Sequence, residues 1–153
     1  MNGLTYDNPA RISYNEVSID FGAGTTTFPI RVPRGVTRGR IEEILIHDIT
    51  EDFTDDTTEG GVQIGDGTDA DKYCDMRIPD AADVGANFNL ADALAIDADT
   101  LKNQLGDNDL AGPGVFDVGA SGDDIAEIVA TYLAPTGGTP GGIAAVTIVI
   151  AWW

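Results

Sequence analysis

Apolar residues alternate with polar ones through the main hydrophobic runs of this chain. "RISYNEVSID" (11–20), "TTFPIRV" (26–32) and "RIEEILIHDIT" (40–50) are short and rich in β-branched and aromatic residues, which predicts three strands. In the third, Ile44 and Ile46 are expected near a core, with His47 beside them. "GVQIG" (61–65) and "KYCDMRIP" (72–79) add two candidate strands. "DIAEIVATYLA" (124–134), then "PTGGTPGG", then "IAAVTIVIAWW" read as a hairpin with a long connection. In the last of these, Ala144, Val146, Ile148, Ile150 and Trp152 share one face, and Ala145, Thr147, Val149, Ala151 and Trp153 the other. A strand apolar on both faces is central in its sheet, or covered by a second sheet or a partner. Only "LADALAIDADTLKNQL" (90–105) has helical spacing, from Leu90, Leu94, Leu101 and Leu105, and Asp97 and Asp99 interrupt it.

Many short strands and at most one or two short helices imply an all-β sandwich or barrel. Both ends of the chain supply strong strands, so the termini are expected to pair within one sheet system. A jelly roll with long acidic loops meets that condition. An immunoglobulin-like sandwich is the rival, disfavoured by the long loops and the missing central Cys and Trp markers. At 153 residues the chain is expected to be one domain, residues 1–153, with 1–10 as an N-terminal arm.

Charge changes this picture. Twenty-six Asp and Glu face eight Lys and Arg, for a net charge of −18. The apolar content of 42% nevertheless fits a folded chain. So negative a chain repels polynucleotides and anionic membranes, so neither is an expected partner. Asp outnumbers Glu by twenty to six, a bias that suits saline surroundings. Residues 51–124 carry nineteen acids and three bases, whereas the remainder carries seven acids and five bases. This division suggests a sandwich with one docking end and one acidic, solvated end. The longest apolar run has eleven residues, short of the about twenty that a helix needs to cross a bilayer. No signal peptide is expected at the start, and the single cysteine, Cys74, has no partner for an internal disulfide.

Candidate chemistry is sparse. His47 is the only histidine and Asp48 follows it, but neighbours on a strand point to opposite faces, so Asp48 is not expected to orient His47 as in a Ser–His–Asp site. Asp66, Asp69 and Asp71 in "GDGTDADKYCD" have hard oxygen ligands at a spacing that suits Ca²⁺, without the EF-hand order. A solvated acidic loop is the simpler reading, and one Cys with one His makes no usual zinc site. Glu127 is the acid with the most apolar sequence surroundings, as a glycosidase acid would require, although it also fits an outward position on its strand. No cofactor and no catalytic residue are expected.

The exception to the acidity is "RVPRGVTRGR" (31–40), which holds four of the six arginines: Arg31, Arg34, Arg38 and Arg40. Pro33, Gly35 and Gly39 make it a turn or an extended arm. These guanidinium groups either pair with the protein's own carboxylates or grip an acidic surface on another chain, which their planar forks suit.

"GVQIGDGTDADKYCDMRIPD" (61–80), the acidic Gly-rich stretch after it, and "IAEIVATYLAPTGGTPGGIAAVTIVIAWW" at the end resemble β-sandwich decoration, or cement, proteins of tailed bacteriophages. The resemblance covers about the last two-thirds of the chain. It implies a jelly-roll subunit, trimeric or dimeric, made in the host cytoplasm and bound to the capsid exterior, with the major capsid protein as partner. Contacts expected on the capsid are Arg31, Arg34, Arg38 and Arg40, with Tyr6 and Arg11 from the N-terminal region. Trp152 and Trp153 are candidate anchors between subunits, or else they close the protein's own core. The alternatives are a Ca²⁺-dependent carbohydrate- or ligand-binding module and a phage tail or adhesin subunit.

Overall fold

The structure is a computed structural model, which describes residues 10–54, 60–78, 87–89, 104–105, 115–118, 128–134, 136–137, 139 and 141–153. The elements in chain order are β1 (Ala10–Asp20), a 3₁₀ turn (Phe21–Ala23), β2 (Thr26–Ile30), β3 (Arg38–Thr54), β4 (Gly61–Gly65), β5 (Cys74–Arg77), β6 (Phe88–Asn89), β7 (Gln104–Leu105), β8 (Val115–Asp117), β9 (Ile128–Leu133) and β10 (Gly141–Trp152). The first three predicted strands, "GVQIG" and the last strand all form within a few residues of their expected bounds. The predicted helix falls almost wholly outside the described residues, and its last two, Gln104 and Leu105, are strand. Among the described residues no helix is long and apolar enough to cross a membrane.

The strands form two antiparallel sheets packed as a sandwich. One has the order β1-β10-β3-β6, with β8 also on β3, and the other is β2-β9-β4-β5-β7. The pairing is nested: β1 with β10, β2 with β9, β3 with β6 and β8, and β4 with β5. A long hairpin whose apex lies between β4 and β5 has been curled until β10 also meets β3 and β9 also meets β4. This is jelly-roll connectivity. As expected, the terminal strands pair, and β10 is central in its sheet. The expected hairpin of β9 and β10 does not form. Both edges of β10 are already occupied by β1 and β3, so β9 lies in the opposite sheet and its connection crosses the sandwich.

The core lies between the sheets. β10 contributes Ala144, Val146, Ile148, Ile150 and Trp152, and the opposing sheet contributes Val62, Ile64, Cys74, Met76, Ile128 and Tyr132. Burial pushes the Cys74 thiol far above its ordinary range, so it behaves as a small apolar side chain. β3 buries Ile41, Ile44, Ile46 and Ile49, a sequence that twice breaks strict alternation. Register shifts lie at both places, between Val149 and Ile150 and between Ile143 and Ala145 of β10. The first shift inserts one extra residue into β3 and the second inserts two, and each changes which side chains face the core. Pro29 lies in β2, an edge strand, where its missing N–H costs no central ladder bond.

At one end of the sandwich the Phe116 ring packs edge-on to Trp152, with centroids 5.7 Å apart, and stacks on Tyr73 at 4.6 Å. Gly39 lies beneath them. A Cβ there would come within 2.6 Å of Phe116 Cζ and 2.8 Å of Trp152 Cζ3. Gly39→Ala is therefore expected to destabilise the fold by about 1–3 kcal/mol, the usual range for overpacking. Chemical denaturation of the two proteins checks this, since the wild-type packing leaves no void for the added methyl.

Candidate docking surface

The connectivity decides which loops share an end. Ile30 pairs with Ile128, and Gly65 with Val129 on the other side of β9. The β2–β3 connection (31–37) and the β4–β5 connection (66–73) therefore leave the sandwich side by side. Ala10, Gly39 and Trp152 are aligned at the same end of the other sheet. Among the described residues the expected separation of a cationic docking end from an acidic end does not occur. The Arg window and the Asp66–Asp71 loop occupy one end, because a nested hairpin places its alternate loops together.

The Arg window divides into two pairs. Arg38 Nε lies 2.8 Å from Asp117 Oδ1 on β8, and Arg40 Nη2 lies 2.6 Å from Glu42 Oε1. Arg11 on β1 also reaches Glu42, which thus serves two guanidinium groups and is held below the usual carboxylate range by both. Arg31 and Arg34 differ: both are exposed, and neither has an ion-pair partner among the described residues. The backbone beneath them is held at both bases. The Tyr14 hydroxyl donates to Arg31 O at 2.8 Å. On the other side, the Thr37 and Arg38 amides donate to Trp153 O at 2.9 and 3.0 Å, and the Val118 amide donates to Thr37 O at 2.8 Å. Val32 and Val36 pack partly into the core. Gly35, at φ +81, supplies the left-handed position that lets the chain reverse beside Arg34. The result is a stapled turn that presents two unmatched cations.

The Asp66 loop is built differently from a calcium site. Asp66 Oδ1 accepts from the amides of Thr68 and Asp69 at 2.8 and 2.9 Å, and Oδ2 accepts from Lys72 Nζ at 2.7 Å. These donors hold its carboxyl down at about 2, with Lys72 the main cause. Asp69 and Asp71 lie against each other, which raises the Asp69 carboxyl. Both oxygens of the would-be first ligand are thus engaged, one by an ammonium group. Among the described residues no three His, Cys, Asp or Glu gather around a common point. A groove of ≈ 430 Å³ beside the loop is lined by Thr27, Pro29, Asp66, Thr68, Val129 and Thr131, with Gly67 and Ala70. None of these residues is aromatic, so no ring offers a stacking platform to a ligand.

His47 corrects two expectations. It lies on the outer face of its sheet instead of near the core, and Asp48 does reach it. Asp48 has φ +50 at the second bulge of β3, which abolishes the alternation that would have sent its side chain to the other face. Asp48 Oδ2 is 3.0 Å from His47 Nδ1, and Thr147 Oγ1 is 2.9 Å from Nε2. With the Nδ1 proton on Asp48, Nε2 accepts from the Thr147 hydroxyl. The order matches a nucleophile–base–orienter line. However, Thr147 is in a central strand paired on both sides, which commits its neighbouring amides to the ladders instead of an oxyanion hole.

Of the remaining expected residues, Trp152 is 1% exposed and packs against Phe116. It closes the protein's own core and offers no surface to a second subunit, whereas Trp153 stays partly exposed. Tyr6 and Glu127 lie outside the described residues. Sequence reading missed the Asp75–Arg77 pair. Asp75 is fully buried, and Arg77 meets it at two points, Nε to Oδ1 and Nη2 to Oδ2, each 2.9 Å. Its i, i+2 spacing on a strand was the available signal, since such residues share a face.

Two outcomes follow for the Asp66 loop. A carboxylate held low in the folded state contributes stability that is complete above its ordinary value of about 4 and is lost as pH falls toward about 2. Asp66→Asn should therefore flatten the decline in melting temperature between those pH values relative to wild type. Calcium at about 5 mM, above the weakest protein sites, should leave the melting temperature where chelator leaves it.

No protein-family model matches this chain, and neither the curated proteins nor the solved structures contain a significant match to it.

Proposed function

We propose that this protein is a non-catalytic jelly-roll subunit that decorates an assembled protein shell, the exterior of a tailed-bacteriophage capsid. The observation that carries the proposal is the stapled turn with Arg31 and Arg34, two cations without an ion-pair partner among the described residues, in a chain of net charge −18. Unpaired guanidinium groups on a fixed backbone suit two-point binding of carboxylates, and little chain entropy is lost on docking. The partner in this reading is an acidic patch on the major capsid protein. Arg38, Arg40 and Arg11 are already paired within the chain and take secondary places. The jelly roll is compatible, being common among viral capsid domains, but it also serves lectins and enzymes, so it supports the class and not the role.

Such a subunit acts by mass action. A partner that binds only the assembled lattice stabilises it by RT ln(1 + [L]/Kd), and repetition over many sites makes modest contacts durable. The net negative charge keeps free subunits apart until they meet the shell.

The test is co-sedimentation with purified capsid shells lacking the protein. Arg31→Ala combined with Arg34→Ala should weaken binding about tenfold or more, as loss of interface arginines does. Its melting temperature should not change, because both side chains are exposed. Wild-type binding should also weaken as salt rises. Undiminished binding by the double variant would remove the turn from the proposal.

A further inference from the structure

The groove beside the Asp66 loop lies on the outer face of the second sheet, in line with the Arg31–Arg34 turn. Side chains alternate without interruption from β2 into that turn. Phe28, Ile30 and Val32 pack against the core, while Thr27, Pro29 and Arg31 are exposed on the other side. Thr27 and Pro29 line the groove, so Arg31 follows about 7 Å beyond Pro29 on the same face. We infer that the groove takes an extended peptide segment of a partner protein, with a carboxylate-bearing side chain at the Arg31 end. The inference rests on the reading of Arg31 as a docking residue and adds the kind of segment that it grips.

Three features select this occupant. First, the groove offers hydrogen-bonding groups that the chain leaves unused. Thr131 of β9 is 8% exposed and lines the groove, and among the described residues its hydroxyl has no hydrogen-bond partner. The hydroxyls of Thr27 and Thr68 are in the same state. A mostly buried hydroxyl without a partner favours a ligand that supplies one, and a peptide carries a donor and an acceptor at nearly every residue. Pro29 and Val129 present apolar surface between these hydroxyls.

Second, charge has one sense along the groove. Among the described residues that line it, Asp66 is the one carboxylate, and its oxygens are already engaged by Lys72 and by the amides of Thr68 and Asp69. Arg31 has no ion-pair partner among the described residues. An acid at the Arg31 end followed by uncharged residues matches that order, since a guanidinium fork takes a carboxylate at two points. Third, the groove is open lengthwise. β2 is an edge strand that pairs only with β9 among the described residues, so a chain can run alongside it and continue past the turn. Thr27 to Arg31 spans about 13 Å, the length of about four extended residues. A saccharide fits less well, because none of the described lining residues is aromatic.

Methyl NMR of the full chain tests this with a capped hexapeptide of Ser and Ala that carries one Glu. Saturable shifts of the Val129 and Thr131 methyl signals are expected, with a dissociation constant of about 0.1–1 mM. Gln in place of that Glu, or Arg31→Ala in the protein, should weaken binding about tenfold, as loss of a charge-assisted hydrogen bond does. Thr27→Trp puts an indole into the groove from an exposed position. It should abolish the peptide-induced shifts and weaken shell co-sedimentation about tenfold, with the melting temperature unchanged. The inference is overturned by the absence of peptide-induced shifts, by equal shifts from the Glu and Gln peptides, or by shifts from glucuronate but not from the peptide. Full shell binding by Thr27→Trp, where Arg31→Ala with Arg34→Ala has lost it, also overturns the inference and leaves the turn as the docking element. Peptide-induced shifts in a protein that binds no shells support the inference and overturn the partner proposed above.

Discussion

The antiparallel pairing of β1 with β10 is the constraint on which the other features rest. It joins strands more than a hundred residues apart in the chain, from Ala10 with Trp152 to Asp20 with Ile143. Once that pair exists, each inner pair follows, and the only free turn left at the apex is the one held by Asp66. Nesting then requires the β2–β3 and β4–β5 connections to emerge together. The most cationic turn and a tightly structured acidic loop consequently share an end, even though composition along the chain separates them.

That placement has electrostatic consequences. Arg38 and Asp117 are 79 residues apart and Arg11 and Glu42 are 31 apart, yet strand register sets each pair within reach. Such exposed pairs contribute little stability individually, but they remove three of the six arginines from the pool available to a partner when Arg40 is included. Arg77 is taken by the buried Asp75, which leaves the two arginines that no strand carries. Among the described residues Arg31 and Arg34 have no ion-pair partner, because they lie in a connection whose backbone is anchored by Tyr14, Trp153 and Val118 while its side chains are exposed. The fold thus concentrates the chain's outward-directed positive charge on a few rigid residues.

The sheet containing β10 makes a complementary point about polar groups. A histidine, a threonine and an aspartate meet on the outer face of that sheet, with Asp48 on one ring nitrogen of His47 and Thr147 on the other. The second bulge of β3 achieves this by letting consecutive residues, His47 and Asp48, act on the same side. The backbone strain of a non-glycine residue at positive φ, of order 1–3 kcal/mol, is localised at that one position. The first bulge, at Glu42, likewise lets one carboxylate serve Arg11 and Arg40 together. Irregularities in the ladder, more than the regular strands, decide how side chains on this face combine.

Much of the architecture was legible in the residues themselves. β-branched runs with period two, the doubly apolar final strand and the strong strands at both ends point to an all-β sandwich with a last strand either central or covered, because burial of alternating side chains is a local requirement that pattern records; its central place is set by pairing with β1 and β3. Cys74 and Ile64, Val62 and Met76 face the core for the same reason. Other properties depend on long-range register. No local signal distinguishes a hairpin of β9 and β10 from a crossover, since that choice turns on β1 and β3 having filled both edges of β10. Nor does alternation reveal bulges, so the meeting of Asp48 with His47 and the outward position of His47 were decided only when β3 was laid against β10. Which arginines are neutralised was settled in the same way: charge is written in the chain, but its partners are assigned by pairing across the sandwich.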